Sequence, residues 1–318
     1  MSHRALITGV SGFVGGFLAQ HLIAIGDTVL GCSPDGEWTK ASPEDVGRSI
    51  DLVAWDMTGT TGINDRARQT IERFAPTCIY HLAAISVPAE CGQGTPTDHA
   101  VAINVGGTSQ VIELAGSIAS KPRVLFVSSS HVYARVDAKS PVVRETAAVL
   151  PKGGYGATKL AAEKEIQKAV KAGVCDAVIA RAFQHTGPRQ GPKMMLPEWA
   201  RQFALGIQPV EVRTRNATID LTDVRDVVRA YHLLMERGSC GEIYNVGSGI
   251  ARSSGEVLEL LRLMADPNRQ IKETNQVKKQ DPIANIDKLV RCTNWRAQIP
   301  LEKTVADTLA YWADVVDA

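Results

Sequence analysis

The stretch Arg4–Leu22, R-A-L-I-T-G-V-S-G-F-V-G-G-F-L-A-Q-H-L, constrains the fold of this chain more than any other. Ala5–Thr8 is a short apolar run suited to a buried parallel strand. Gly9, Gly12 and Gly15 follow at three-residue intervals. From Phe13 the apolar residues Phe13, Phe17, Leu18, Leu22 and Ile25 recur at helical spacing. Strand, glycine turn, helix is the context in which such glycines read as a dinucleotide site. The first glycine permits a tight turn, the second lets a pyrophosphate approach the backbone, and the third lets helix and strand pack closely. Ser11, Phe13 and Val14 share this turn, where free N–H groups and the positive end of the helix dipole face the phosphates. Glycines at this spacing also arise for packing alone, so the turn needs support from the rest of the chain.

A chain of 318 residues makes one large domain or two intimately joined ones. Lys plus Arg number 35 against 34 Asp plus Glu, so no net field recruits nucleic acid or an anionic membrane. The six cysteines are scattered without a C-x-x-C, which reads as buried thiols in a reducing compartment, and no metal site is expected. There is no apolar run of transmembrane length and no signal-peptide pattern, and the expected location is the cytoplasm.

Strand-like and helix-like segments alternate from the first turn onward. Thr28–Leu30 reads as a second strand ending at Gly31-Cys32-Ser33-Pro34. A carboxylate at that tip would accept hydrogen bonds from an adenosine ribose and select NAD. None is there, and Asp35 comes slightly late, so the tip favours NADP, whose extra phosphate Ser33 tolerates. Asp51–Trp55 is a third strand followed by Asp56 and Met57, with Asp56 placed either to contact adenine or to close a strand-to-helix turn. Ile63–Phe74 reads as a helix and Cys78–Leu82 as a fourth strand. After Leu82, the small residues Ala83 and Ala84 let the backbone lie close to a cofactor.

Residues 85–97, with Ser86 among them, read as a loop over the site. Ala100–Ser120 is a long helix carrying Asn104, and Arg123–Val127 is a fifth strand with Ser128-Ser129-Ser130 at its carboxyl end. Tyr155–Ala172 is a helix and Ala177–Ala180 a sixth strand. This alternation predicts an α/β fold, a doubly wound parallel sheet with ligand outside the carboxyl ends of the strands. Beyond Arg181 the pattern loosens into a turn-rich Phe183–Pro192, a helix at Leu196–Leu205, a strand at Thr218–Leu221 and a helix at Val224–Glu236. A strand at Ile243–Val246 and amphipathic helices at Ser254–Met264 and Leu301–Val315 complete the chain. We expect a Rossmann-type dinucleotide-binding domain over residues 1–182 with a returning segment at 217–247. Residues 183–216 and 248–318 form a smaller C-terminal substrate-binding lobe.

Tyr155 and Lys159, in Y-G-A-T-K at the start of a helix, stand four apart on one face. A free phenol titrates near pH 10, far from neutrality. A neighbouring ammonium stabilises the phenolate and brings that pKa down, and a serine hydroxyl at a strand end can fix the substrate oxygen alongside. The spacing alone also fits a surface pair; the glycine turn, the serine run and their order along the chain reverse that balance.

The ordered set resembles the extended short-chain dehydrogenase/reductase family over essentially the whole chain. It comprises T-G-V-S-G-F-V-G (Thr8–Gly15), H-L-A-A (His81–Ala84), N-V-G-G-T (Asn104–Thr108), S-S-S-H-V-Y (Ser128–Tyr133) and Y-G-A-T-K (Tyr155–Lys159). The resemblance implies NADP(H) or NAD(H) as cofactor and Tyr155 as the acid–base residue. It implies that Lys159 binds the nicotinamide ribose and tunes Tyr155, and that Ser129 contacts the substrate, with Ser130 as the alternative. The second half looks most like the sugar-nucleotide branch that includes GDP-4-keto-6-deoxy-mannose reductases and GDP-mannose 4,6-dehydratases. That likeness rests on Arg181–Gln190, Leu221–Tyr231, Gly241–Gly249 and Thr293–Thr304.

Three departures qualify the branch. His131 stands where the dehydratases carry a glutamate, which disfavours dehydration. Ile219 stands where relatives carry an arginine that clamps diphosphate bidentately. Gln184 replaces an asparagine, and Arg189, Arg213 or Arg215 must then supply charge, unless the substrate differs. The expected substrate-binding residues are Ser86, Ser130, His131, Gln184, His185, Arg189 and Arg225.

The leading expectation is a reductase of a 4-keto-(6-deoxy)hexose nucleotide. The alternatives are a nucleotide-sugar epimerase with tightly held NAD and a non-catalytic NAD(P)-binding regulator. A homodimer paired through Ala100–Ser120 and Tyr155–Ala172 is also expected, with no nucleic-acid or membrane partner.

Overall fold

The computed structural model describes residues 2–39, 44–59 and 62–317. Seven strands form one parallel sheet: β1 (Arg4–Thr8), β2 (Thr28–Ser33), β3 (Asp51–Ala54), β4 (Cys78–His81), β5 (Arg123–Ser129), β6 (Ala177–Ala182) and β7 (Ile243–Val246). Their spatial order is β7-β6-β5-β4-β1-β2-β3. The chain walks outward from β1 to β3 and then returns to place β4 on the other side of β1. This reversal opens a crevice at the carboxyl ends of β1 and β4, where ligands bind in open α/β sheets.

The main helices are α1 (Phe13–Ala24), α2 (Asp65–Phe74), α3 (Gly107–Ser117), α4 (Gly154–Lys171), α5 (Met195–Ala204), α6 (Val224–Arg237), α7 (Ser254–Ala265) and α8 (Leu301–Asp317). Side chains alternate across a strand. Ala5 and Ile7 of β1 therefore enter one core with Leu18 and Leu22 of α1 and Val227 and Leu234 of α6. Leu6 enters the opposite core with Ile71 of α2, Leu114 of α3 and Ile166 of α4. Helices cover both faces, which is why these strands read as unbroken apolar runs. A second, smaller body has its own core, in which Trp199 and Phe203 of α5 meet Ile219, Leu221, Leu261 of α7 and Trp312 of α8.

The expected doubly wound sheet is present. β2 runs three residues further than its apolar run suggested, because Gly31, Cys32 and Ser33 pair with Leu52, Val53 and Ala54 of β3. The helix expected at Ala100–Ser120 begins at Asp98, where the Thr97 hydroxyl accepts from Ala100 N at 3.2 Å. It passes through a π turn at Ala102–Gly106 and ends at Ser117, before an extended Ile118. Within the segment expected to return to the sheet, only β7 joins it. The strand Ala217–Asp223 runs parallel to Gln184–Thr186 and antiparallel to Ala251–Ser253 instead. The pairing of Val142–Val143 with Ile283–Ala284 involves two residues a side, too few to leave a periodicity.

Among the described residues no helix is long and apolar enough to cross a membrane, and no group of His, Cys, Asp or Glu is arranged to hold a metal. All six cysteines are free; Cys32, Cys78 and Cys91 are buried and Cys240 is exposed.

Candidate active site

The glycine turn sits at the carboxyl end of β1. Gly9 has φ +71°, and a Cβ there would lie 2.9 Å from the Ala83 backbone. A Cβ on Gly15 would meet the Gly9 carbonyl oxygen at 2.2 Å. Those two glycines are required by packing. Gly12 is different: its imagined Cβ clears everything but the Gly9 oxygen at 3.2 Å, and the residue is exposed. It begins α1 with no side-chain cap, so the first-turn N–H groups face outward for an anion. The Phe13 ring lies parallel to His185 with centroids 6.2 Å apart, which joins the turn to the segment after β6. Ser11 and Val14 lie in the same turn.

A buried hydrogen-bond chain fixes the next part of the rim. Ala83 N donates to Thr8 Oγ1 at 3.2 Å, and Thr8 Oγ1 meets His81 Nδ1 at 2.8 Å. His81 Nε2 meets Thr108 Oγ1 at 3.0 Å, and Thr108 donates to Asn104 O at 2.7 Å. Burial, with Lys159 nearby, pushes His81 down to about 3, so the ring is neutral. Thr108 donates onward, so its oxygen accepts from Nε2–H and Nδ1 accepts from Thr8; the network assigns the tautomer. Asn104 stands in the π turn, a local widening often found at functional sites. Its side chain accepts from Ile85 N at 2.8 Å and donates to Ile85 O at 3.1 Å and to Thr158 Oγ1 of α4 at 2.9 Å. Leu82, Ala83 and Ala84 are thereby held over the crevice, while Ser86 is exposed.

Across the crevice, β5 delivers Ser129 and α4 delivers Tyr155 and Lys159. Ser129 is buried, accepts from His131 N at 3.2 Å, and its hydroxyl acts on the Tyr155 phenol to favour ionisation. Lys159, also buried, donates from Nζ to Val127 O at 2.8 Å and lies 5.0 Å over the Phe126 ring. The expected tuning of the phenol downward is not what the protein alone provides. Burial outweighs the lowering effect of Ser129 and pushes Tyr155 up to about 12, while burial pushes Lys159 down to about 8. The ammonium is drawn to the strand carbonyl beneath the helix rather than to the phenol. The His131 ring packs edge-on against Tyr155, 5.5 Å between centroids, and burial lowers its pKa. Ser130 is buried one residue beyond Ser129.

Behind Lys159 lies a buried ion pair with no counterpart in the sequence reading. Arg181 of β6 forks Glu163 of α4, Nε to Oε1 at 2.9 Å and Nη2 to Oε2 at 2.7 Å. Ser128 donates to the same carboxylate, and Arg181 Nη1 donates to Glu145 O at 3.0 Å. Glu163 follows Lys159 by four residues, so helical spacing from Tyr155 was the signal that marked it.

The remaining expected residues divide. At the tip of β2, Ser33 Oγ donates to Asp35 Oδ1 at 3.3 Å and to Glu37 O at 3.1 Å. Because β2 ends at Ser33, Asp35 stands two residues past it and the tip does carry an exposed carboxylate. Asp56 accepts from Thr58 N at 2.9 Å and from its hydroxyl at 2.7 Å, so it closes the turn after β3, and those bonds hold its pKa low. Met57 is buried against Gly107.

Gln184 donates to Asp281 Oδ2 at 2.9 Å, and His185 Nδ1 lies 2.9 Å from Phe183 O. Of the arginines expected to supply charge, Arg215 holds Glu259 and Arg213 is exposed, while Arg189 and the expected substrate-binding Arg225 are engaged by neighbours. Arg189 donates to Gln20 at 2.7 Å and lies 3.6 Å over the Phe17 ring of α1. Arg225 forks Asp223 at 2.8 and 2.7 Å and reaches Asp307 at 2.7 Å. Both are fixed by neighbours that a linear pattern does not reveal.

The sequence profile of the NAD dependent epimerase/dehydratase family matches residues 5–247. The chain is 27% identical to the GDP-6-deoxy-D-mannose reductase of Pseudomonas aeruginosa over 98% of each protein. The structure of RMD from Pseudomonas aeruginosa complexed with NADPH superposes with a TM-score of 0.81 at 24% identity, covering 99% of this chain and 100% of that one. UDP-glucuronic acid 4-epimerase from Bacillus cereus, in complex with NAD, gives a TM-score of 0.83 at 23% identity over 98% and 99% of the two chains. These two solved structures have the same fold.

Proposed function

Because the chain belongs to the NAD dependent epimerase/dehydratase family, we propose that it is a nicotinamide-dependent reductase of a sugar nucleotide bearing a 4-keto-6-deoxyhexose, such as GDP-4-keto-6-deoxy-mannose. The observation that carries this reading is the Tyr155 ring packed against His131 at the start of α4, beside Ser129 at the end of β5, with Lys159 one helical turn on. Likeness to a GDP-6-deoxy-D-mannose reductase along nearly the whole chain supports the substrate class.

The residues present fit a dinucleotide. Gly9 and Gly15 shape the turn after β1, and the uncapped start of α1 at Gly12 takes a pyrophosphate. Ser33 and Asp35 at the tip of β2 face an adenosine ribose, and Leu82, Ala83 and Ala84 form a wall held by Asn104. When bound, the dinucleotide supplies the hydride. Tyr155, which burial keeps protonated at neutral pH, gives its proton to the ketone oxygen, and Ser129 holds that oxygen by a hydrogen bond. Lys159 is the cation beside the reacting groups. The sheet side of the crevice holds the cofactor and the smaller body offers the sugar nucleotide its seat.

The test is a screen of nucleotide sugars with NADPH and NADH, followed by mass analysis. The expected result is cofactor oxidation with a 4-keto-6-deoxyhexose nucleotide and a product heavier by two hydrogens. NAD that co-purifies and a product of unchanged mass would replace the reductase with an epimerase. The ratio of NADPH to NADH affinity reports on Asp35: a carboxylate facing the ribose favours NADH.

A homodimer through α3 and α4 accompanies this reading, because the two helices pack side by side. Light scattering at micromolar concentration is expected to return twice the chain mass, and a monomer rejects the pairing.

A further inference from the structure

Arg189 has a left-handed backbone, φ +67°. Pro188 precedes it and Gln190 N donates to Gly187 O at 3.4 Å, so Arg189 fills the third position of a β-turn. A positive φ at that position calls for glycine, and a residue with a Cβ is strained there. What the arginine adds to the turn is its side chain.

That side chain crosses to α1. Phe13, Phe17 and Gln20 follow one another on one face of α1, four and three residues apart. Phe13 and Phe17 meet edge to face, with centroids 5.8 Å apart. His185 stacks on Phe13 with the ring planes 10° apart. Arg189 lies 3.6 Å over Phe17 and donates to Gln20 at 2.7 Å. Two side chains four apart in the segment after β6 are thus seated on two rings four apart on α1.

The segment between them is tied internally and to the smaller body. Gln190 accepts from Thr186 Oγ1 at 2.7 Å and donates to His185 O at 3.1 Å. Gln184–Thr186 pairs with Leu221–Asp223, and Gln184 donates to Asp281. Residues 184–190 therefore bridge the helix that starts at the glycine turn and the body that carries Asp281.

We propose that Arg189 is a positioning residue: it registers residues 184–190 on α1 and so sets Gln184 and His185 against the dinucleotide, ready for the sugar nucleotide. Arg189 then serves the substrate without touching it. The proposal rests on the reductase reading only for the identity of that substrate; the registration follows from the contacts with α1. A cation over an aromatic face suits the role, because it holds the segment while leaving the polar groups of Gln184 and His185 at their own partners.

The test compares Arg189→Gly, Arg189→Ala and Arg189→Lys in the full chain saturated with NADPH or NADH. Glycine and alanine both remove the anchor, but only glycine also relieves the positive φ, so Arg189→Ala should melt below Arg189→Gly. Amide hydrogen exchange across residues 184–187 should nonetheless quicken by about tenfold in both. Arg189→Lys keeps a cation for Phe17 and should restore part of the protection. Adding Phe17→Leu to Arg189→Gly should change exchange little, since the partner is already gone. With the nucleotide sugar that the wild type turns over, Arg189→Gly and Arg189→Ala should raise KM by about tenfold at near-constant kcat, because binding must then order the segment. Exchange equal to the wild type's in both variants, or faster exchange with an unchanged KM, or a KM that follows melting temperature across the three variants, overturns the proposal. Faster exchange in a protein that turns over no nucleotide sugar would leave the anchor standing and remove the reductase reading. Turnover with exchange and KM both unchanged would do the reverse.

Discussion

Tyr155→Phe is expected to lower turnover by about a hundred- to ten-thousand-fold, the range for one acid–base group, while leaving dinucleotide affinity unchanged. The ring stays packed against His131, and only the hydroxyl with its transferable proton disappears. Burial raises the phenol to about 12, so the proton is in place throughout the neutral range and the reductive direction needs no prior ionisation. The opposing requirement sits on Lys159. Burial lowers its ammonium to about 8, so charge is present below that value and lost as pH rises through it. The profile of kcat/KM against pH should therefore fall on its alkaline side with a midpoint near 8, provided the charge is needed. His131→Ala separates reductase from epimerase or dehydratase. A small effect leaves Tyr155 as the proton donor, whereas a loss equal to that of Tyr155→Phe makes His131 a second acid–base group. Near-full activity in Tyr155→Phe on the true substrate would remove the mechanism altogether.

The sheet was legible in the sequence because its inner strands are buried on both faces. Apolar runs such as Ala5–Thr8 and Arg123–Val127 carry that information locally, and the glycines at 9 and 15 mark where backbones touch. Strand ends were less legible, since Gly31-Cys32-Ser33 breaks the apolar pattern while still pairing with β3. That error moved the tip of β2 and made Asp35 look distant when it stands two residues past the strand.

The smaller body was legible as helices and one strand without its partners. The alternation at Thr218–Leu221 says strand, but pairing with Gln184–Thr186 and Ala251–Ser253 is a contact between distant segments. Charge was the least legible part. A basic residue in the sequence carries no mark of its partner, and Arg225 and Arg189 proved to be occupied by Asp307 and Gln20, 82 and 169 positions away.

Arg181→Ala is expected to destabilise the fold by about 3–5 kcal/mol, the cost of orphaning one partner of a buried ion pair. Both side chains are almost wholly inaccessible, at 4% and 2%, so water cannot replace the lost guanidinium. Glu163 would keep only the Ser128 hydroxyl, the Glu145 carbonyl would lose its donor, and the Tyr133 ring would lose the cation 4.9 Å above it. The variant should thus unfold at lower urea than the wild type. Replacing both partners, as Arg181→Met with Glu163→Leu, should recover much of the loss, because apolar packing of similar volume leaves no charge unpaired. Activity need not follow stability. The pair ties α4, which carries Tyr155 and Lys159, to β6 and, through Ser128, to the end of β5 that carries Ser129. If the pair also sets the distance between these groups, the refolded double variant should show a lowered kcat at unchanged KM. Arg181→Ala with a urea midpoint equal to the wild type's would show that the pair contributes nothing net to the fold.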